Sequence, residues 1–260
     1  MDIKELLNVM KKLRDPDHGC PWDLKQSFAT IVPYTIEEAY EVAEAIDAND
    51  MGELKLELGD LLFQVVFYAQ LAKEEKAFEF ADVVEAIVTK MIRRHPHVFA
   101  DTVYKNDEEF AKAWEQSKTE EKQQAGIEQS SAIDGVNKAL PALKFAQKMQ
   151  SKAAKAGFDW QQITPVYKKV EEELNEVRAA ERSAVQGEIE DEIGDLLFSA
   201  VNLSRHLKVD AEEALRRATK KFETRFRAVE AECERNQQSI EESSEAQLIK
   251  LWESVKQSSQ

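Results

Sequence analysis

Apolar residues recur along the chain at intervals of three and four. Near the start, Ile3, Leu6, Leu7, Met10 and Leu13 fall on one helical face with charged residues between them. The same periodicity predicts helices over residues 2–14, 35–49, 52–74, 80–94 and 107–122, and again over 138–155, 164–182, 187–207, 210–236 and 244–257. No run alternates apolar and polar positions over the length of a strand, and no Asn-Gly or Asp-Gly pair joins two such runs. Eight glycines and six prolines in 260 residues are too few for a turn-rich β architecture. The pattern predicts an all-α fold.

The periodicity lapses over residues 117–134, where the chain is polar and reads as an exposed connection. This predicts a helical module over 1–120, a polar linker over 121–135 and a second helical module over 136–260.

The two halves are alike. Glu37-Glu38-Ala39-Tyr40-Glu41-Val42 corresponds to Glu172-Glu173-Leu174-Asn175-Glu176-Val177, an offset of 135 residues. The same offset carries Glu57, Gly59, Asp60, Leu61, Leu62 and Phe63 onto Glu192, Gly194, Asp195, Leu196, Leu197 and Phe198. Gly19 and Trp22 echo Gly157 and Trp160, Lys90 and Arg94 echo Lys221 and Arg225, and Trp114 and Lys118 echo Trp252 and Lys256, at slightly different offsets. Two homologous helical modules are therefore expected, with Trp22 and Trp160 as packing anchors.

This repetition changes how the acidic residues are read. Glu173 and Glu176 share a helical face, as do Glu192 and Asp195 on the next helix. Each pair is interleaved with apolar residues, so a helical hairpin would gather four carboxylates beside a core, where like charges must bind a cation or a proton. An all-oxygen set suits a hard cation, Mg²⁺ or Mn²⁺. The first copy offers a second possible metal site at Glu38, Glu41, Glu57 and Asp60. One Glu-x-x-Glu alone would be an ordinary solvated face, whereas two pairs spaced 16 residues apart in both copies are not. Lys221 with Arg225, and Trp252 with Lys256, stand four apart on predicted helices and could clamp an anion beside a flat ring.

Composition narrows the partners. With 35 Lys plus Arg against 50 Asp plus Glu, the net charge is −15, which argues against duplex nucleic acid and against an anionic membrane surface. A polyphosphate could approach only with metal ions present. Two distant cysteines offer no disulfide framework, and no signal segment or membrane span is expected, so the chain reads as cytoplasmic. His95 and His97 have no third ligand nearby and read as a loop anchor, and the absence of Glu-x-x-His pairs disfavours a di-iron bundle. A non-enzymatic alternative stays open: an acidic helical dimeric scaffold, or a partner-binding protein, with vestigial acidic sites.

The spacing Glu-Glu-x-x-Glu then Glu-x-x-Asp, together with Gly19-Cys20-Pro21-Trp22-Asp23, Gly59-Asp60-Leu61-Leu62-Phe63-Gln64, His95-Pro96-His97-Val98-Phe99 and Gly157-Phe158-Asp159-Trp160, resembles the MazG nucleoside triphosphate pyrophosphohydrolases, relatives of the all-α dimeric dUTPases. The resemblance covers nearly the whole chain and is to the two-module form. It implies Mg²⁺-dependent hydrolysis of nucleoside triphosphates to monophosphate and pyrophosphate, broad base tolerance and a homodimer. Glu173, Glu176, Glu192 and Asp195 would be the metal ligands. Lys169, Glu172, Glu173, Lys221, Arg225, Trp252 and Lys256 would meet the nucleotide, and the segment with Glu188 and Asp191 would line it. Glu172 or one of the ligands would be the base, and Lys221 and Arg225 would stabilise charge on the phosphates. The second module is expected to carry most of the activity. The first has no lysine matching Lys169, and its stretch from Asp60 to Lys90 is four residues longer than that from Asp195 to Lys221.

Overall fold

The structure is a computed structural model that describes residues 2–124, 126, 131–236 and 238–258. Among the described residues it holds eleven α-helices, a short 3₁₀ turn at Asp23–Lys25 and no strand. None of these helices is long and apolar enough to cross a membrane. The chain divides into two compact units, Met1–Gly126 and Ile127–Gln260.

The first unit comprises α1 (Ile3–Leu13), α2 (Phe28–Ala48), α3 (Met51–Glu74), α4 (Phe80–Arg94), the one-turn α5 (Pro96–Phe99) and α6 (Asp107–Gln124). Helices α2 and α3 pack as a hairpin across two residues, with Asn49 in the left-handed region at φ 54° and the Asp50 carboxylate accepting from the amides of Gly52 and Glu53. Met10, Ile31, Val66, Phe67 and Leu71 form the core, with Leu6, Leu7, Phe28 and Phe63 against them. The Arg14 guanidinium, nearly buried, closes on Glu74 at 2.6 Å and so ties the end of α1 to the end of α3.

The second unit comprises α7 (Ala142–Lys155), α8 (Ile163–Ser183), α9 (Gln186–His206), α10 (Ala211–Arg235) and α11 (Glu245–Ser258). Helices α8 and α9 repeat the hairpin, with Ala184 at φ 55° where the first unit has Asn49, again 135 residues apart. Lys76 and Lys208, both at positive φ, end α3 and α9 in the same way. The repeat thus extends from side chains to the backbone of the turns.

Three expectations are corrected. Helix α2 begins at Phe28, seven residues before its predicted start at 35, because Ser27 and Thr30 form a reciprocal cap and Pro33 lies within the helix. A proline in this position forgoes one main-chain bond without ending the helix. Helix α6 continues to Gln124, into the expected linker, of which residues 125 and 127–130 lie outside the described residues. Its Glu, Lys and Gln residues are good helix formers, so polarity there does not mean an irregular chain. Trp22 and Trp160 are 49% and 43% exposed and do not anchor a core.

Candidate metal and nucleotide site

In the second unit, the α8–α9 hairpin brings carboxylate oxygens of Glu173, Glu176 and Glu192 within 4.8 Å of one another. Glu173 is 4% exposed, since it lies on the face of α8 that also buries Val166 and Ala180. Its Oε1 is 2.7 Å from Lys169 Nζ, and its Oε2 is buried with no hydrogen-bond partner. The same Nζ is 2.7 Å from Glu172 Oε1. The Lys169 ammonium holds the Glu173 carboxyl below the usual carboxylate range. The close approach of the Glu173 carboxylate, followed by burial, pushes Glu176 the other way. The two glutamates in turn raise Lys169 well above an ordinary lysine, through the Glu172 bond first and the Glu173 bond second.

A cavity of about 580 Å³ opens from this cluster, and Lys169, Glu173 and Asp195 form its charged end. Met149, Ala153, Val166 and Phe198 give it apolar walls, into which Gln150 and Asn202 set amides. Gln150 is fixed by donating from Nε2 to the Phe198 carbonyl at 2.8 Å. Further along the cavity, Arg205 donates to Asp159 at 2.5 Å and 2.8 Å, and holds that carboxyl down at about 2. Gly157, at φ 95°, turns the chain after α7, and the rim carries Phe158 and Trp160. An acidic end beside a mainly apolar slot suits a ligand with a charged part and a flat apolar part.

Other candidates stand elsewhere in this unit. Lys221 and Arg225 are on α10, and Trp252 and Lys256 on α11, outside the wall of the cavity. Arg225 Nε is buried with no hydrogen-bond partner, Trp252 lies against Phe222 with ring centroids 5.4 Å apart, and Lys256 is 3.5 Å from Glu253. Glu188 accepts from the Ser183 hydroxyl at 2.6 Å across the hairpin turn, and Asp191 is exposed on the first turns of α9.

In the first unit, Glu38, Glu57 and Asp60 converge within 4.8 Å. Burial, then Asp60 and Glu41, raise the Glu38 carboxyl. Burial, then Glu41, push Glu57 up to about 6. Gln64 reaches Glu38 at 3.4 Å, and the place of Lys169 is taken by Tyr34, whose ring meets Trp22 edge-on. Arg94, the counterpart of Arg225, is bound to Glu121. His95 bonds the Met91 carbonyl at 2.8 Å and His97 packs on Tyr104 and Phe110, in keeping with a loop anchor.

Gln150, Asn202 and Arg205 carry no sequence signal, being single polar residues within helical runs. Asp159 lies in the Gly157–Trp160 stretch, but nothing in the sequence attaches a role to it.

The sequence profile of the MazG nucleotide pyrophosphohydrolase domain matches this chain twice, over residues 26–99 and 161–229, the segments that build the two hairpins. The nucleoside triphosphate pyrophosphohydrolase of Escherichia coli K12 is 55% identical over 230 residues, covering 88% of this chain and 87% of that protein. The nucleoside triphosphate pyrophosphohydrolase/pyrophosphatase MazG of Thermotoga maritima is 46% identical over 254 residues, covering 98% and 95%. A crystal structure of a mazG-related protein from Thermotoga maritima is 30% identical, covering 45% of this chain and 98% of that one with a TM-score of 0.39. With the profile matched in both units and these relatives aligned along most of their length, the chain belongs to the MazG nucleotide pyrophosphohydrolase family.

Proposed function

We propose that this chain hydrolyses nucleoside triphosphates to monophosphate and pyrophosphate with Mg²⁺, which Mn²⁺ can replace, mainly in its second unit and with broad base tolerance. The observation that carries the reading is Glu173 Oε2, a buried carboxylate oxygen without a partner, in a set of three converging carboxylates at the charged end of a cavity. Lys169 pairs the other oxygen of this carboxylate, and a buried oxygen left without a partner is costly, a cost that a hard cation removes. The donor set therefore fits Mg²⁺, with Glu173, Glu176 and Glu192 as holders and Asp195 beside them. The names of the two relatives above support the same chemistry.

When bound, Mg²⁺ supplies charge neutralisation at phosphate oxygens and makes an attacking water more acidic. The residues divide the remaining work. Lys169 offers an ammonium to the triphosphate at the mouth of the cavity, while the apolar walls take the base. Water attacks the α-phosphorus, its proton passes to a carboxylate such as Glu172, and the bond from the α-phosphorus to the bridging oxygen breaks to release pyrophosphate. Glu172 is suited to the proton because it is more exposed than Glu173 and already placed by Lys169. Lys221 and Arg225 on α10, with Trp252 and Lys256 on α11, would approach the nucleotide as it binds, stabilising phosphate charge and offering a ring surface.

A homodimer follows from the same reading. Val66 on α3 is fully buried in the core of the first unit. Leu62 and Val65 on the same helix remain 40% and 36% exposed, and a second copy would cover them.

The test is incubation of the full chain with ATP, GTP, CTP and UTP in Mg²⁺, followed by chromatography of the products. Monophosphate and pyrophosphate are expected. Diphosphate and orthophosphate would place the attack at the γ-phosphorus and refute the reading.

A further inference from the structure

Lys169 lies against the buried carboxylate that the ligand set requires. Its Nζ is within 2.7 Å of both Glu172 Oε1 and Glu173 Oε1, and Glu173 is one of the three residues whose oxygens converge. Ion pairs at i,i+4 on a helix surface are common and weak. This one differs because Glu173 is nearly inaccessible, so the ammonium neutralises a charge that water cannot. The first unit gathers Glu38, Glu57 and Asp60, the counterparts of Glu173, Glu192 and Asp195, with Tyr34 in that place, so carboxylates of this hairpin converge without a lysine beside them.

Resting on the metal and nucleotide reading above, we infer that Lys169 is a displaceable internal counter-ion, which competes with the divalent cation for Glu173 and is drawn off by the triphosphate, so that metal and nucleotide bind cooperatively. Electrostatics sets the direction. An ammonium and a dication near one carboxylate repel each other at short range, and a polyphosphate at the cavity mouth gives the ammonium a competing anion. The side chain has somewhere to go, since Lys169 is about one-third exposed and lines the cavity. Metal alone should then bind weakly in the second unit and tightly once a nucleotide is present. Lys169 would thus do more than contact phosphate: it would set the coupling between two ligands, and that coupling is reciprocal.

The experiment follows Mn²⁺ binding by the electron paramagnetic resonance of the free ion. The full chain carries Glu38→Gln and Glu57→Gln, so that the hairpin cluster of the first unit is removed, and Asp15→Asn with Asp17→Asn removes the other acidic group of that unit, beside His18. The nucleotide probe is α,β-methylene ATP, which cannot be cleaved at the bond in question. In that background, Lys169→Met should tighten Mn²⁺ binding without nucleotide by at least about tenfold, the scale of removing one nearby charge. It should also reduce, by at least about tenfold, the tightening that the analogue produces. Lys169→Arg, which keeps the charge, should stay close to the parent. Lys169→Gln gives the same reading should the methionine variant fail to fold. If Lys169→Met binds Mn²⁺ alone no more tightly than the parent, the counter-ion role is overturned while the metal site stands. If parent and variants all fail to bind Mn²⁺ with or without the analogue, both readings fall. If the affinities shift as expected but the unmodified chain releases no pyrophosphate from any triphosphate, the counter-ion role stands and the catalytic reading falls.

Discussion

Arg94 and Glu121 join α4 to α6 at 2.5 Å and 3.0 Å, a bidentate pair that Arg93 reinforces at 2.5 Å. The guanidinium that answers to Arg225 is therefore neutralised within its own unit. Charge-assisted bidentate pairs are among the stronger side-chain contacts, and this one pulls the Glu121 carboxyl down to about 2. The two copies of the repeat keep the same carboxylates and spend the cations around them differently.

That difference sets an expectation for paired variants. Glu173→Gln with Glu176→Gln should abolish pyrophosphate release, whereas Glu38→Gln with Glu41→Gln should leave most of it, because displacing a phosphate-binding cation by even about 1 Å can cost roughly 10²-fold in rate. Pyrophosphate assays under the same Mg²⁺ and triphosphate conditions check this. The reverse pattern would move the working site to the first unit.

Glu192 contributes the α9 side of the cluster. Glu192→Gln keeps the shape and removes one charge, and turnover should fall by at least about 10²-fold with the helical circular dichroism retained. Near-normal turnover at saturating Mg²⁺ would exclude Glu192 from the site.

Acid should weaken the second unit through Asp159. Its native carboxyl, held at about 2 by Arg205, binds fewer protons than the unfolded one at 3.8. It therefore contributes stability in full above about pH 4, and loses it as the pH falls from there through about 2. The linkage amounts to roughly 2 kcal/mol for this largely shielded group. Asp159→Asn should melt at lower temperature than the parent at pH 7, and the gap should narrow toward about pH 2. A gap independent of pH would mean that the charge is not what stabilises.

Ala184 adopts a left-handed conformation that its Cβ disfavours by roughly 1–2 kcal/mol. Ala184→Gly should raise the melting temperature or leave it unchanged, because relief of that strain outweighs the added freedom of the unfolded chain. A clear fall in calorimetry would show that the methyl group has a packing role.

How much of this could be read without coordinates depended on what repeats. Glu173, Glu176 and Glu192 were legible because each has a counterpart 135 residues earlier, and because three-residue spacing on two consecutive helices leaves few ways to arrange them. The helical hairpins followed from apolar periodicity. Pro33 hid the first seven residues of α2, since a proline within a helix looks from sequence like an end. Polar helix formers hid the end of α6. The cavity walls were invisible because Gln150 and Asn202 meet only after α7 packs on α9, and packing has no period in the sequence. The Lys169–Glu173 spacing was plain, but the depth of Glu173, which gives the pair its meaning, was not.

The two-residue turn between α8 and α9 bears on how this site could change over time. Each residue added to a helix rotates the remainder of that helix by about 100°. A residue added here that joined the first turn of α9 would swing Glu192 to another side of that helix, away from Glu173, even though every ligand remained in the sequence. Loops elsewhere in the repeat have drifted in length while these two turns have not. The turn acts as a gauge that fixes the distance between acids, so a duplicated copy freed from catalysis could lose its function through its turn before it lost a single carboxylate.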